Sequence, residues 1–547
     1  MTSTPLAKSA QRRLWRWIIA ILVGLGIAFR TANLAEPVFW VDEVATTMRV
    51  SGYTQAEVIA QVATAQPLTP PDLLHFQTIR SDTQRSDLLR VLSQSPEHAP
   101  LYFVLARFWA DLFGTSPASM RALPVLFGLF GLPGILLLCK SYFFQNKTVQ
   151  SSLKEKPFQA PLPLKSIGQA AMGLLAISPF FIAYSQEARP YSLWVLLLLL
   201  TYQFLARSLT THRWQWWLAY TLSLTLTLYT SLLTVLLVLA QSIAILLTHR
   251  QHIRPYFLTT ALSLLTLTPW CWIVVTHWQT LQTNTAWMST PGSLWATLGT
   301  WFYSLAVLFF DVPVSQSPPI FGLQVILATL TIGLIGYATT VFIRQAPQPI
   351  WSLVLANTLA IPLLLLLIDL IRNGQAAATP RYLMPTHLGA IIMLAYWLRG
   401  GLFSNSLKRR AAISFLLIVS LVSCLILQPS PYLKSRNLSN ADLTALLNAS
   451  ASPQLITTPH YIQDLISLSY QLDPDITLYV LPTEDTSFEN VIVQKIDPQQ
   501  PTFLFAPSEA AKTEIEDKKI GILTSIYQPP PLTSGDFALT LWELEQT

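Results

Sequence analysis

Charged side chains are scarce in this sequence: Asp, Glu, Lys and Arg make up 11% of its 547 residues, against 52% hydrophobic residues. A soluble fold would leave long apolar runs, such as residues 191–206 and 411–428, exposed to water. These runs approach or reach the roughly 20 residues that a bilayer-crossing helix requires. The composition therefore predicts an all-α polytopic membrane protein and excludes a soluble globular one.

Cysteine and internal repetition are also lacking. The sequence has three cysteines, Cys139, Cys271 and Cys424, which are far apart and show no CxxC or metal-like spacing. We therefore expect them to be core residues and not metal ligands. No repeat at a fixed period is present, which counts against the repeat-built transporter folds. The basic N-terminus precedes an apolar run without a small-residue cleavage site, which indicates a retained anchor and not a signal peptide.

Hydropathy predicts about eleven membrane crossings. The predicted spans lie near residues 14–33, 119–139, 167–184, 191–207, 214–229, 231–248, 256–276, 320–342, 350–371, 382–398 and 411–428. With the N-terminus inside, the internal segments carry 18 of the 34 Lys and Arg residues, counting Arg16, and one acidic residue, Glu155. Cytoplasmic loops are enriched in Lys and Arg, so this orientation is the predicted one. In this orientation the following segments lie on the external side of the membrane: the loop 34–118, the turn 184–191, the loop 277–319, the segment 372–381 and the tail from about 430.

The tail differs from the rest in charge and pattern, with 15 acidic against 6 basic residues. Residues 476–482 and 501–507 have the composition of strands, and 508–519 that of a helix. We therefore predict a transmembrane domain over 1–429, including loop 34–118, and a small external soluble α/β domain over 430–547. Within the loop, residues 98–114 predict a helix that lies in the membrane interface and does not cross it.

Two adjacent carboxylates, Asp42 and Glu43, follow the first span in the stretch FWVDEVATTMRV. An acidic pair at the lipid boundary is costly, so it is a candidate functional site. The alternative is that Asp42 caps the first helix of the loop by accepting backbone N–H bonds.

A second polar cluster, SPFFIAYSQEARPYSLW at 178–194, places Glu187, Arg189 and Tyr191 between two apolar spans. The alternative here is an interfacial ion pair with a tyrosine belt. Arg121 and Arg381 lie at the external mouths of other spans, where snorkelling alone is the alternative for Arg381. Three external arginines favour an anionic partner, and guanidinium forks suit a phosphate at the membrane surface.

Taken in order, FWVDEVATTMRV, the run 98–133, SPFFIAYSQEARPYSLW and RYLMP resemble bacterial members of the glycosyltransferase 39 family. That family includes the protein O-mannosyltransferases and, more distantly, the aminoarabinose transferases. The resemblance covers roughly residues 14–400. It implies a GT-C fold and an enzyme that transfers a sugar from a polyprenyl phosphate to an acceptor hydroxyl on the external face.

The resemblance also implies positions for the family's motifs. The acidic pair corresponds to Asp42 and Glu43, and the bacterial SQEARPY motif corresponds to residues 185–191. A further motif corresponds to His98, Pro100 and Leu101, where Ala99 departs from the commoner proline. The last two correspond to Met120 and Arg121, and to Arg381 to Pro385, which includes Tyr382.

The chemistry of such a transfer assigns roles to these residues. A hydroxyl is a poor nucleophile, so Asp42 is the candidate base, with Glu43 beside it, and a single displacement leads to inversion. The departing lipid phosphate gains negative charge and requires fixed cations. Arg121, Arg189 and Arg381 are the candidates for that role, and Glu187 orients an arginine or binds sugar hydroxyls. The candidate substrate-binding residues are His98, Glu187, Tyr191 and Tyr382.

The expected partners are a polyprenyl-phosphate sugar donor, the lipid bilayer and a hydroxyl acceptor on protein, lipid or glycan, with no nucleic acid. No metal site is assigned, and a divalent cation is left open as a cofactor. We expect a multi-pass protein of the bacterial plasma membrane whose active site and C-terminal domain are extracytoplasmic. Two other classes stay open: a transporter or flippase of lipid-linked or anionic solutes, and an assembly factor that acts through its tail.

Overall fold

The computed structural model describes residues 5–546 except 83, 85, 144–164, 212, 316, 400, 404–405, 429–436, 484–494 and 530–538. Most of the predicted internal segment 140–166, with Glu155, lies outside the described residues.

The described part of the chain is mostly helical. Its helices, numbered in chain order, are α1 Pro5–Thr31, α2 Val41–Val50, α3 Gln55–Val62, α4 Pro70–Leu74, α5 Asp87–Ser93, α6 Leu101–Phe113, α7 Pro117–Phe143, α8 Lys165–Ala176, α9 Pro179–Ser185, α10 Tyr191–Thr211, α11 Trp214–Leu228, α12 Thr234–Thr248, α13 Ile253–Thr266, α14 Thr268–Thr276, α15 Trp278–Asn284, α16 Leu294–Ala306, α17 Pro318–Gln345, α18 Gln348–Arg372, α19 Met384–Leu398, α20 Leu407–Leu427, α21 Asn440–Asn448, α22 Ile462–Ser469 and α23 Glu509–Asp517. Short 3-10 helices include Ala286–Ser289, Ala376–Ala378 and Pro380–Leu383.

Six of the described helices are long and apolar enough to cross a membrane: Ser9–Thr31 within α1, α7, α10, α17, α18 and α20. The number rises to eight if each of two bent helix pairs, α8 with α9 and Arg250–Thr266 with α12, is one span. Other predicted spans correspond to shorter helices. The 15 residues of α19 extend about 22 Å at 1.5 Å per residue, less than the roughly 30 Å of a hydrocarbon core. The count of eleven crossings stays a prediction.

One compact unit comprises Met1–Asn33, Ser93–Tyr102 and Arg121–Pro429. Its apolar core draws on α1, on α7 to α10 and on α17 to α20. Buried polar side chains bond across neighbouring helices, as where the Gln241 amide Nε2 donates to Asn357 Oδ1 at 2.8 Å. In the absence of water such bonds satisfy polar groups that would otherwise be costly inside the apolar core.

Two of the three cysteines are buried, Cys139 and Cys424, as predicted. The prediction of a core position is wrong for Cys271, which is exposed. It lies on α14, where Trp270 is the one buried residue. An apolar helix that presents most of its surface outward gives the same hydropathy as a buried one, so the sequence could not separate the two cases.

The predicted span 167–184 is broken. Helix α8 ends at Ala176, α9 begins at Pro179, and the two axes differ by 62°. Proline lacks a backbone N–H and its ring clashes with the preceding turn, so Pro179 ends α8 and serves as the first residue of α9. The break redirects the chain just before the polar turn at 186–190.

The second compact unit comprises Leu34–Leu92, Phe103–Met120 and Ser430–Thr547. It contains a five-stranded sheet in the order β2-β1-β3-β5-β4. The strands are β1 Gln454–Thr457, β2 Thr477–Val480, β3 Thr502–Phe505, β4 Gly521–Tyr527 and β5 Leu541–Gln546. β1 pairs with β2 and β3 in parallel, and β5 pairs with β3 and β4 in antiparallel fashion. Strands β2 and β3 and helix α23 confirm the α/β pattern predicted for the tail.

The compact units divide the chain differently from the predicted boundary at 429/430, because residues 34–92 cluster with the tail. Backbone hydrogen bonds join Leu68 to Leu478 in both directions at 2.8 and 2.9 Å, and Ala65 N–H donates to Val480 O at 2.9 Å. These bonds occupy the otherwise open edge of β2, so the loop covers a sheet edge. The predicted helix within 98–114 is confirmed as α6.

Candidate active site

The SQEARPY motif forms a buried turn between two helices. Ser185 ends α9, Tyr191 begins α10, and residues 186–190 connect them. Glu187 and Arg189 are 3% and 6% exposed, and Tyr191 is also buried. Burial of two charged side chains in one turn is costly unless they are paired or hydrogen-bonded, which makes the turn a candidate functional site.

Tyr184 is the residue around which several predicted site residues gather. Its hydroxyl lies within electrostatic range of Glu187, Tyr191 and Arg381. The Tyr184 and Tyr191 rings pack edge to face with centroids 5.2 Å apart, and the guanidinium carbon of Arg189 lies 5.9 Å from the Tyr191 centroid. The fold thereby brings Arg381 close to the turn that holds Glu187, Arg189 and Tyr191, although Arg381 lies nearly 200 residues further along the sequence.

Arg381 belongs to the 3-10 helix Pro380–Leu383, which leads into α19. Its guanidinium carbon lies 5.9 Å from the centroid of the Trp287 ring. The preceding segment is fixed by Asp369, whose Oδ1 and Oδ2 accept the backbone N–H groups of Ala376 and Ala377 at 3.0 and 2.6 Å. Tyr382, next to Arg381, packs half-buried against the core.

The other two candidates of this unit lie on separate segments. His98 precedes α6, and its Nε2 is 3.6 Å from Glu97 Oε1. Glu97 in turn accepts hydrogen bonds of 3.2 Å from Asn284 Nδ2. Arg121 is the fifth residue of α7 and is 2% exposed, so it is embedded and does not snorkel to a surface.

Asp42 and Glu43 belong to the other compact unit, where they occupy the first turn of α2. The N-cap position is held by Trp40. Asp42 is therefore the second residue of the helix and does not occupy the N-cap position. Both carboxylates still lie where the positive end of the helix dipole favours negative charge. Glu43 is fully buried and Asp42 is half-buried, so Asp42 is the more accessible of the two.

Side chains from the same unit fix α2 at both ends. At its N-terminus, Asn437 Oδ1 accepts the Val41 N–H at 2.8 Å, and Ser467 Oγ donates to Phe39 O at 2.7 Å. At its C-terminus, Arg107 Nη1 donates to Val50 O at 3.1 Å. Arg107 also pairs with Asp111 at 3.0 Å, so these two charged residues of the largely apolar α6 bond to each other. The acidic pair is carried on a rigidly held helix.

Asp311, a carboxylate that is 3% exposed, is not among the residues predicted from the sequence. It lies within electrostatic range of the Tyr184 hydroxyl, and its backbone N–H donates to Ser423 Oγ at 3.0 Å. Its position inside the predicted loop 277–319 gave no periodic signal. A second missed residue, Arg30, is 1% exposed near the end of α1 and was read as part of an apolar span. An isolated charge inside a hydrophobic run was the signal that could have found it.

A small cavity next to the turn is lined among others by Arg30, Tyr184, Tyr191, Ser192 and Met384. Among the residues that the structure describes, no group of three or more His, Cys, Asp or Glu side chains is placed to hold a metal ion. The chemical groups that this unit brings to the site are guanidinium groups, carboxylates and phenol hydroxyls.

A helical unit with several membrane-spanning helices and a buried cluster of arginine and carboxylate side chains defines the chain as an integral, multi-pass membrane protein. The family described as dolichyl-phosphate-mannose-protein mannosyltransferase matches residues 162–279. That range contains the whole SQEARPY turn, and over it the chain is similar to that family.

Two solved structures are similar to the chain along nearly its full length. The first is ArnT from Cupriavidus metallidurans bound to undecaprenyl phosphate, with 12% identity, 96% of this chain and 97% of that chain covered, and a TM-score of 0.50. The second is the apo state of the same protein, with 13% identity, 98% of each chain covered and a TM-score of 0.49. No curated protein sequence matches the chain significantly. The predicted resemblance and the predicted fold class, a GT-C membrane fold with a small C-terminal sheet domain, are confirmed.

Proposed function

We propose that this protein is a membrane glycosyltransferase that transfers a sugar from a polyprenyl-phosphate donor to an acceptor hydroxyl on the extracytoplasmic face, with inversion. The observation that carries the proposal is that Glu187 and Arg381 lie within electrostatic range of Tyr184, while Arg189 lies against Tyr191, whose ring packs on Tyr184. The similarity to the mannosyltransferase family over residues 162–279 covers the same turn. The fold shared with ArnT supports a lipid-phosphate donor, since one of the two ArnT structures is bound to undecaprenyl phosphate.

The arginines hold the phosphate of the donor. The donor is a phosphodiester, and its departing polyprenyl phosphate gains one negative charge as the bond from phosphate oxygen to anomeric carbon breaks. Arg121, Arg189 and Arg381 stabilise this charge, because fixed cations in a water-poor site act without reorganisation. No general acid is required, since the phosphate is a weakly basic leaving group.

The carboxylates act on the acceptor and the sugar. Asp42 accepts the proton of the acceptor hydroxyl as its oxygen attacks the anomeric carbon, and Glu43 supports it from the buried side of α2. A single displacement at the anomeric carbon inverts its configuration. Glu187, Tyr191, Tyr382 and His98 bind sugar hydroxyls or orient the arginines. The acceptor is a hydroxyl of a protein, a lipid or a glycan.

The deciding experiment compares donors. Purified enzyme in lipid is incubated with a polyprenyl-phosphate sugar and, separately, with a soluble nucleotide sugar, and sugar transfer or release is followed. We expect turnover of the lipid donor and none of the nucleotide sugar. Turnover of the nucleotide sugar alone would overturn the proposal, since a water-soluble donor gives no reason to bury arginines beside a membrane.

A further inference from the structure

Arg30 is a buried cation near the C-terminal end of α1, and its hydrogen bonds all end on backbone carbonyls. Within the described part of the chain, its Nη1 donates to Gly26 O at 2.9 Å and to Ala176 O at 2.5 Å, and its Nη2 donates to Leu175 O at 2.8 Å. A buried guanidinium carries a large desolvation cost, which these hydrogen bonds partly offset.

Two of the acceptors are carbonyls that the broken span leaves without helical partners. Helix α8 ends at Ala176, and Pro179 has no N–H to continue the ladder. The last carbonyls of a helix are unsatisfied, and they form the negative end of its dipole, where a cation is favourable. Arg30 therefore caps the break between α8 and α9 from the neighbouring helix.

The reverse bonds run from the functional turn back to α1. Gln186 Nε2 donates to the carbonyls of Phe29, Arg30 and Ala32 at 3.0, 3.3 and 2.9 Å. These are carbonyls at the C-terminal end of α1, so each of the two helix ends is capped by a side chain from the other segment. Gly26 permits the close approach, because a Cβ there would stand 2.3 Å from Ala176 O.

We propose that Arg30 and Gln186 form a reciprocal clamp that positions the turn 185–191 for catalysis, with Arg30 as a positioning residue that acts through the carbonyls of Leu175 and Ala176. The catalytic part of this inference rests on the proposed glycosyl transfer. Arg30 fixes the end of α8 and Gln186 fixes the turn to the end of α1. Together they set the direction in which the side chains of Glu187, Arg189 and Tyr191 point.

The first test reads the conformation of the turn without any assay of activity. Ser185→Cys introduces a nearly isosteric thiol at a 1% exposed position at the start of the turn. Its alkylation rate is measured by mass spectrometry, with native Cys271 as the exposed reference and Cys139 as the buried one. Arg30→Lys keeps the charge but loses the planar fork, and Arg30→Met loses both.

We expect labelling of the introduced thiol to accelerate about tenfold in Arg30→Lys and more in Arg30→Met, because local opening becomes easier when a charged hydrogen bond is lost. Labelling of Cys139 should not change. Arg372→Lys, at an exposed arginine in the last turn of α18, is the matched control and should have no effect. If Arg30→Met prevents folding, Gln186→Leu opens the same clamp from the other side and should give the same acceleration. Unchanged labelling in a folded Arg30→Lys or Gln186→Leu protein would overturn the clamp.

The second test connects the clamp to turnover. With the lipid donor, kcat/KM should fall about tenfold in Arg30→Lys while the thermal midpoint stays close to that of the parent protein, since a misplaced turn costs transition-state stabilisation more than global stability. An unaltered kcat/KM together with faster labelling would leave the clamp in place and overturn its catalytic role. A protein that turns over no lipid donor at all would refute the proposed function, and the labelling result would still decide the clamp.

Discussion

The guanidinium of Arg381 lies against the face of Trp287, with its carbon 5.9 Å from the ring centroid. The ring belongs to the 3-10 helix Ala286–Ser289, some 90 residues before the arginine in sequence, so an aromatic wall fixes the cation from one side. A cation over an aromatic face is stabilised by the ring quadrupole. This arrangement suits a planar fork that must meet a phosphate.

Substitution of Arg381 tests the class of donor. Arg381→Lys keeps the charge but loses the fork and the stacking on Trp287, so affinity for the lipid donor and turnover should both fall. Arg381→Ala should be worse and should weaken the free energy of donor binding by roughly 2 to 5 kcal/mol, because a buried anion loses its partner. Apparent affinity for the acceptor should hardly change. Arg372→Lys is the control, and wild-type donor kinetics after Arg→Ala at Arg121, Arg189 and Arg381 together would refute the phosphate site.

Asp42 and Glu43 should differ in effect although they are adjacent. Asp42→Asn removes the proposed base and should lower turnover by about 10² to 10⁴, with the protein still folded and inserted. Glu43→Gln should be damaging but less so. Single-turnover transfer, with thermal unfolding in detergent as the check on folding, measures both. Near wild-type turnover of Asp42→Asn would show that another group accepts the proton.

Arg107 should stabilise the helix that carries the acidic pair. Arg107→Met removes the hydrogen bond to Val50 O and the ion pair with Asp111, so we expect a loss of about 1 to 3 kcal/mol in stability, the cost of leaving a buried acceptor without its donor. The double variant Arg107→Met, Asp111→Leu should recover part of that loss, since the carboxylate that paired with Arg107 is also removed. Thermal unfolding of the three proteins tests the coupling. Equal melting temperatures of the single variant and the parent protein would show that the Arg107–Asp111 pair contributes nothing to stability.

Asp369 should position Arg381 without touching substrate. In Asp369→Asn the side chain can accept only one of the two N–H groups of Ala376 and Ala377, because its amide NH₂ faces the other. We expect this change to lower the free energy of unfolding by about 1 to 3 kcal/mol. We expect weaker donor binding with a smaller change in stability than in a core variant such as Leu388→Ala. Donor titration beside thermal unfolding separates the two effects. Unaltered donor affinity would indicate a capping role only.

The orientation in the membrane is tested with introduced thiols in a Cys271→Ser background. The charge bias predicts that Glu516→Cys, on the exposed side of α23, is labelled by an impermeant reagent from outside. Glu155→Cys should be labelled only after the membrane is opened. The reverse pattern would overturn the topology and the external site that depends on it.

Composition and hydropathy were enough to predict a polytopic membrane protein, because a bilayer imposes its requirement on each span locally. Strands β2 and β3 and helix α23 of the tail followed from short-range periodicity in the same way, whereas β1, β4 and β5 were not predicted. The ordered motifs were sufficient to predict the GT-C fold and to select Glu187, Arg189 and Arg381. These signals are carried by neighbouring residues, so no knowledge of long-range contacts was needed to read them.

Only the tertiary structure showed that α8 and α9 meet at an angle of 62°, that Arg30 and Gln186 cap each other's segments, and that Asp311 approaches Tyr184. It also showed that Cys271 is exposed and that the loop 34–92 adds to the sheet of the tail. Each of these depends on pairs of residues far apart in sequence. Periodicity reports which face of a helix is apolar, and it does not report which partner covers that face or which carbonyl a buried guanidinium reaches.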